Sequence, residues 1–111
     1  MKHHESNLQI QCVRWFRYTY PKLLIYSVPN GGIRTQRNAR TLKAEGALAG
    51  VADLVVVNGK GEHLYLEMKT PKGRQSETQK AFEEKCKTLN VPYKVIRSGM
   101  EFMAACQKFC E

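Results

Sequence analysis

No long apolar run occurs in this sequence, and its first residues, MKHHESNLQ, lack the apolar core of a secretory signal. We therefore expect a soluble, intracellular, cytoplasmic protein without a membrane partner. The length of 111 residues is that of one ordinary domain. The sequence thus predicts a single domain over residues 1–111, without an internal linker.

Closely spaced cysteine pairs are also missing. Four cysteines occur, and none shows the C-x-x-C spacing that is typical of zinc or redox sites. Free thiols in a reducing compartment are the expected state. Zinc ligation is the alternative for Cys106 and Cys110, because residues four apart on a helix share one face.

Acidic residues are scarce relative to basic ones. The sequence has ten Asp and Glu against eighteen Lys and Arg, which gives a formal charge of +8. Such a surface attracts polyanions, and nucleic acid is the leading candidate. Simple solubility is the alternative explanation for the charge. Hydrophobic residues make up 42% and charged residues 25%, as in a folded globular protein rather than a disordered tail.

Hydrophobic periodicity and turn residues divide the chain into alternating helices and strands. The predicted order is α, β, α, β, β, α, β, α, over residues 5–20, 23–28, 34–45, 53–57, 63–69, a helix after 76, 93–97 and 100–110. This order predicts an α/β fold with a small mixed sheet flanked by helices.

Capping residues support two of the helices. Gly46 lies where a C-terminal glycine would end the second helix. Ser76 and Gln79 have the spacing of a capping box at the start of the third helix. Phe82 and Leu89 are expected on the buried face of that helix.

A basic stripe lies on the second predicted helix. Its members recur every three residues and wind slowly around one side of the helix: Arg34, Arg37, Arg40 and Lys43. Phosphate contact is one interpretation, and a solvated helix face is the other.

The stretch GVADLVVVNGKGEHLYLEMKT combines two apolar strands with charged residues. A hairpin turn at NGKG places Asp53 opposite Leu66 or Glu67, and either register brings it beside Glu67. Lys69 shares the face of Glu67 because strand residues two apart point the same way. Two converging carboxylates suit a hard divalent cation, magnesium or manganese. A structural salt bridge of Lys69 with one acid is the alternative, and it leaves the second acid unexplained.

Asp53 followed by Glu67, Met68 and Lys69 resembles the D…(D/E)-x-K signature of PD-(D/E)XK nucleases, with Ala52 where a proline usually precedes the aspartate. The surrounding segments VPNGG, GVADLVVV and LYLEMKTPKGRQSETQKAF resemble the VRR-NUC (virus-type replication-repair nuclease) group over residues 5–97. The resemblance implies a restriction-endonuclease-like fold. It also implies a stand-alone phage or bacterial domain, and hence a bacterial or phage-infected cell.

The resemblance further implies roles for the signature residues. Asp53 and Glu67 would bind Mg²⁺ or Mn²⁺, Met68 would lend its backbone carbonyl, and Lys69 would be catalytic. No organic cofactor is expected.

Two more positions match the family pattern. Glu5 would complete the metal site, or else it is an exposed acid favourably placed at a helix N-terminus. Gln79 would lie near the substrate phosphate or attacking water, and its capping-box role with Ser76 would coexist with that task or replace it.

The function implied is a metal-dependent DNA endonuclease of DNA repair, specific for branched DNA such as four-way (Holliday) junctions or flaps. A homodimer would present two sites to two strands. Lys72 and Arg74 would join the basic stripe in binding DNA. One alternative is a non-catalytic nucleic-acid-binding module, whose binding would depend on salt and ignore magnesium. Another is a nuclease acting on RNA.

Overall fold

A computed structural model describes residues 2–29 and 36–111, and the side chains of residues 5–29 and 39–111. The elements follow the predicted order: α1 (Lys2–Thr19), β1 (Leu24–Ser27), α2 (Gln36–Ala44), β2 (Leu54–Val57), β3 (His63–Met68), α3 (Glu77–Thr88), β4 (Tyr93–Ile96) and α4 (Gly99–Cys110). The α/β class is confirmed. Within the described ranges, no helix has the length and apolar character that crossing a membrane requires.

The four strands form one mixed sheet in the order β1-β2-β3-β4. The first three strands are antiparallel neighbours, and β4 lies parallel to β3. A parallel neighbour needs a crossover connection, and α3 supplies it between β3 and β4. Glu67 of the signature lies on β3, and Asp53 immediately precedes β2, the antiparallel neighbour of β3.

One face of the sheet carries the main hydrophobic core. Alternate residues of β3, namely Leu64, Leu66 and Met68, are buried there against α1 and α4. Phe16 of α1 and Phe102 of α4 are fully buried in the same cluster. Because strand side chains alternate, the odd-numbered residues of β3, including Glu67, lie on the opposite face of the sheet.

The opposite face of the sheet is covered by α3. The ring of Phe82 meets Tyr65 of β3 edge-on, with 5.0 Å between ring centroids, and lies 6.0 Å from Tyr93 of β4. These contacts seat α3 over the same face that carries Asp53 and Glu67. The N-terminus of α3 is thereby brought to the acids.

The expectation that Leu89 is buried is wrong. α3 ends at Thr88, and Leu89 is the C-cap residue, with 63% of its surface exposed. The helical spacing that would have carried Leu89 to the buried face stops one residue earlier. Cys86 takes the buried position in the last turn.

The end of α2 has the predicted glycine. Gly46 has a φ of +112°, its amide donates to the Lys43 carbonyl, and the Ala47 amide donates to the Leu42 carbonyl. This pair of bonds is a Schellman motif, which satisfies carbonyls that the helix end leaves free. The prediction from the sequence is confirmed.

Asn58 organises the turn between β2 and β3. Its Oδ1 accepts from the amides of Lys60 and Glu62, and its Nδ2 donates to Glu62 Oε1 and to the Phe109 carbonyl. Gly61, with a φ of +78°, completes the turn. The amide of Asn58 is therefore fully used, and it ties the hairpin to the last turn of α4.

The cysteines contribute to packing. All four are free thiols, with Cys12, Cys86 and Cys106 buried and Cys110 half-buried. Burial raises the pKa of Cys12 to about 11 and that of Cys106 to about 12, so both thiols stay protonated at neutral pH. Zinc ligation by Cys106 and Cys110 gains no support from this setting.

Candidate active site

The strand register brings Asp53 and Glu67 together. Leu54 pairs with Leu66, so Asp53 lies one residue before this pair on one strand and Glu67 one residue after it on the other. The sequence left open whether Asp53 faces position 66 or 67, and the register selects Glu67. Both carboxylates lie on the face covered by α3.

Asp53 is fixed by the backbone of the neighbouring strand. Its Oδ2 accepts a 2.8 Å hydrogen bond from the Met68 amide. The N–H and C=O of one strand residue point to the same side, so the Met68 carbonyl also lies on the side of Asp53. That placement agrees with the expected use of this carbonyl as an oxygen ligand.

Glu67 is a buried carboxylate with one oxygen unpaired. Only 1% of the residue surface is exposed. Its Oε2 accepts a 2.7 Å hydrogen bond from Gln79 Nε2 and lies 3.8 Å from Lys69 Nζ. No group in the described part of the chain hydrogen-bonds Oε1. A buried unpaired carboxylate oxygen is costly, so this atom points to a missing partner.

The electrostatics of the pair indicate a deficit of positive charge. Burial, followed by the charge of Asp53, raises the pKa of Glu67 to about 8, and Lys69 offsets only part of this rise. Burial also raises the pKa of Asp53, against the lowering effects of the Met68 amide and Lys69. One lysine therefore does not neutralise both acids, and a proton or a cation must supply the remainder.

Glu5 lies in the first turn of α1, half-buried, and its charge adds to the rise in the pKa of Glu67. Its position is thus both that of an acid at a helix N-terminus and that of a neighbour of the paired carboxylates. Among the described residues, no three His, Cys, Asp or Glu side chains form a group that could hold a metal ion. The structure therefore pairs Asp53 with Glu67 and leaves Glu5 outside such a cluster.

Gln79 forms the capping box predicted from the sequence and also contacts one of the paired acids, while its place near a substrate phosphate or attacking water stays a prediction. Its backbone amide and its side-chain Oε1 bond to Ser76 Oγ and the Ser76 amide, which is the predicted capping box. The remaining Nε2 then donates to Glu67. Because the cap holds one end of the amide, the other end is aimed at the carboxylate.

Gly50 permits the close approach of two segments of the site. It has a φ of +88°, and a Cβ at this position would lie 2.2 Å from the Thr78 carbonyl oxygen and 2.8 Å from the Gln79 amide nitrogen. The loop that leads to Asp53 therefore packs directly on the first turn of α3. Only glycine fits that contact.

The predicted DNA-binding residues are spread over two segments. Arg40 and Lys43 are exposed on α2, whereas Arg34 and the side chain of Arg37 lie outside the described residues. Lys72 and Arg74 are exposed in the loop between β3 and α3. The stripe interpretation therefore stays a prediction.

Arg97, which follows β4, anchors the backbone of the loop that carries Lys72. Its Nη1 donates to the carbonyls of Thr70 and Gly73 at 2.8 and 2.7 Å. Charge-assisted bonds of this kind hold the loop backbone while its lysine and arginine side chains remain exposed.

A groove between α1 and β1 was not predicted from the sequence. We call it the α1–β1 groove; it has a volume of about 580 Å³, and its lining includes Glu5, Ile10, Arg14, Arg17, Tyr26 and Ser27. The spacing of Ile10, Arg14 and Arg17 indicates one side of a helix, but nothing in the sequence shows that β1 leaves this side open.

A mixed sheet between helices, with a buried acid, a half-buried acid and a lysine at one end, is an arrangement typical of nuclease domains. The sequence model of the VRR-NUC domain matches residues 2–100, and the chain belongs to this family. It is accordingly a nuclease-family domain, with DNA as the substrate that membership implies. A search of curated proteins returned no match to this sequence.

Proposed function

We propose that this protein is an endonuclease that hydrolyses DNA phosphodiester bonds with Mg²⁺ or Mn²⁺ held by Asp53 and Glu67. The observation that carries the proposal is the unpaired Oε1 of Glu67, buried beside a second carboxylate. A hard divalent cation accepts one or two carboxylates and completes its coordination with water. The donor set therefore fits such an ion.

When bound, the cation would activate a water molecule and stabilise negative charge on the attacked phosphate. Asp53 and Glu67 would hold it, with the Met68 carbonyl as a further oxygen donor. Glu5 is proposed as an additional acid that approaches this site, directly or through water.

The remaining side chains hold the site in place and supply charge. Gln79 fixes Glu67 through Oε2 and so leaves Oε1 free to bind a ligand. Lys69, whose side chain is only 12% exposed, places a positive charge 3.8 Å from the same carboxylate. A fixed cation in such a water-poor setting stabilises the charge that develops as water attacks phosphorus and the leaving oxygen departs.

Branched DNA is the proposed substrate, and a homodimer the proposed active form. In the described part of the chain, Glu67 is the one buried acid, and it forms a single pair with the half-buried Asp53. Cutting two strands of a junction calls for two such sites, which a two-fold dimer would present together. Light scattering at the assay concentration tests this: an active monomer would contradict the dimer.

The central test is cleavage of labelled four-way junction, flap, duplex, single-stranded DNA and single-stranded RNA, each with Mg²⁺, Mn²⁺ or chelator. Asp53→Asn and Glu67→Gln should abolish cutting, whereas Glu84→Gln, an exposed acid of α3, is the matched control and should cut normally. DNA binding without cutting under all conditions would replace the proposal with the non-catalytic module. Preferential cutting of RNA would show that RNA, rather than DNA, is the substrate.

Metal binding is measured separately, by calorimetric titration of Mn²⁺ into the protein without DNA. We expect binding in the wild type and in Glu84→Gln, and its loss in Asp53→Asn. Equal binding by Asp53→Asn would contradict the assignment of the metal site.

A further inference from the structure

The α1–β1 groove opens beside the candidate active site. Glu5 lines the groove, and its charge also acts on Glu67. From Glu5 to Arg17 the helix rises about 18 Å, close to the length of five stacked nucleotides of one strand. The groove is therefore long enough for a short segment of a nucleic acid strand that ends at the acids.

The side of α1 that lines the groove differs from its buried side. Cys12 and Phe16 point into the core, whereas Ile10 is 47% exposed although it is apolar. Arg14 and Arg17 follow on the same side as Ile10 and are exposed. Apolar contact area beside two guanidinium groups suits a ligand with both a flat apolar part and negative charge.

Arg17 is oriented by the edge of the sheet. Its Nη2 lies 3.4 Å from the Ile25 carbonyl oxygen of β1, a weak hydrogen bond that keeps the guanidinium at the groove. Arg14 has no such tie among the described residues and extends from the helix. Both groups remain positioned to contact phosphates of a strand that runs along α1.

Tyr26 supplies an aromatic surface at the open edge of the sheet, where its side chain leaves β1 on the face that carries Asp53 and Glu67, because its neighbour Ile25 points into the core. It lies on β1, lines the groove and is 43% exposed. A tyrosine ring stacks on a base only when that base is unpaired and its face is free, because duplex bases are covered by their neighbours. The combination of ring and guanidinium groups is therefore specific for single strands rather than for duplex backbone.

We infer that the α1–β1 groove binds an unpaired DNA strand and leads it to Asp53 and Glu67. Tyr26 stacks on a base, and Arg14 and Arg17 contact phosphates. Among branched substrates, those with an unpaired arm, such as flaps and splayed ends, are then preferred over fully paired ones. This inference rests on the proposed nuclease function for the cleavage step but not for binding.

Binding is tested by fluorescence anisotropy with labelled oligo(dT) of twelve nucleotides in chelator, over a range of salt concentrations. Tyr26→Ala should weaken binding at least fivefold, and Tyr26→Phe should retain it, since the ring is what stacks. Arg14→Ala should lower the slope of log affinity against log salt by about 0.7. Tyr18→Ala and Lys108→Ala, both exposed and outside the groove, are the controls and should bind normally.

Cleavage is tested as the ratio of flap cutting to nicked-duplex cutting. This ratio should fall at least fivefold in Tyr26→Ala and stay at the wild-type value in both controls. An unchanged ratio, or equal losses on both substrates, would overturn the inference. If the wild type cuts nothing, the nuclease proposal fails, and the anisotropy experiment still decides whether the groove binds single strands.

Crosslinking of the wild-type protein locates the bound strand without relying on variants that could misfold. Oligonucleotides of iododeoxyuridine should crosslink under ultraviolet light to the peptide that contains Tyr26. Crosslinks confined to α2 or to the loop with Lys72 and Arg74 would place the strand elsewhere and overturn the inference.

Discussion

Gln79 of α3 donates a hydrogen bond to Glu67 of β3, with 2.7 Å between Nε2 and Oε2. The other end of the same side-chain amide, Oε1, accepts from the Ser76 amide. The orientation of a buried carboxylate on a strand is thus set by the N-terminal cap of a helix. Groups that orient ligand side chains commonly change metal affinity or activity by about 10- to 100-fold when removed. The cap and the site are therefore expected to respond together to mutation.

Replacing Gln79 by alanine should reduce the cleavage rate and Mn²⁺ affinity by about 10- to 100-fold, because Glu67 loses the donor that holds it. Ser76→Ala removes the cap but leaves Nε2 in place. It should lower the stability by about 1 kcal/mol and reduce activity less. Cleavage kinetics and thermal melts measure both effects. Equal activity of Gln79→Ala and the wild type would show that the hydrogen bond serves the helix alone.

The stability of the metal-free protein should fall as the pH rises. The pKa of Glu67 goes from its ordinary value of 4.5 to about 8 on folding, mainly through burial. The folded state therefore holds its proton more tightly, and this contribution is fully present below pH 4.5 and lost by the time the pH has passed 8. Asp53 acts in the same direction, since burial raises its pKa as well.

The glutamine of Glu67→Gln does not titrate, so this variant should show a weaker dependence of stability on pH than the wild type. Thermal melts between pH 5 and 9 in chelator measure it, with Glu84→Gln as the exposed control. The variant should be more stable than the wild type at pH 9 and closer to it at pH 5. Parallel curves for wild type and Glu67→Gln would contradict the raised pKa.

Divalent cations should stabilise the folded protein, and more so at high pH. The ion competes with the proton on Glu67, so Mn²⁺ should raise Tm more at pH 8.5 than at pH 6. Asp53→Asn should lose most of this rise. Differential scanning calorimetry with and without Mn²⁺ gives the result. A rise of the same size in Asp53→Asn would locate the ion elsewhere.

Gly50→Ala should damage both stability and activity. The new Cβ would overlap the Thr78 carbonyl and adopt a left-handed φ, so we expect a loss of about 2 kcal/mol or more and a displaced first turn of α3. Gly59→Ala is the matched control, because nothing lies within 4 Å of its Cβ and its φ is not positive. Chemical denaturation and cleavage assays should leave Gly59→Ala near the wild type. Equal effects of the two substitutions would contradict the packing described for Gly50.

The sequence predicts much of the frame of the site. Alternation in β2 and β3 places Asp53 near Glu67, and the Ser76–Gln79 spacing predicts the cap that the structure shows. Both depend on local periodicity and on a single turn. The proximity of the two acids and the helix cap can therefore be predicted without knowing how distant elements pack.

Other features depend on how elements pack, and the sequence does not show them. The bond from Gln79 to Glu67 requires α3 to cross the sheet with its first turn over β3, which no local pattern specifies. The exposure of Leu89 follows from where α3 ends, and helix ends are difficult to place from propensity alone. The α1–β1 groove is open because β1 is an edge strand, a property of the sheet order.

Asn58 links the hairpin of the two acids to Phe109, 51 residues further along the chain. A contact of such long sequence separation forms late, because a large loop must close before it can contribute. The hairpin turn is fully bonded only once α4 has docked. The hairpin is thus held at both ends by separate elements: α4 secures its turn, while the first turn of α3 holds Glu67 at the other end.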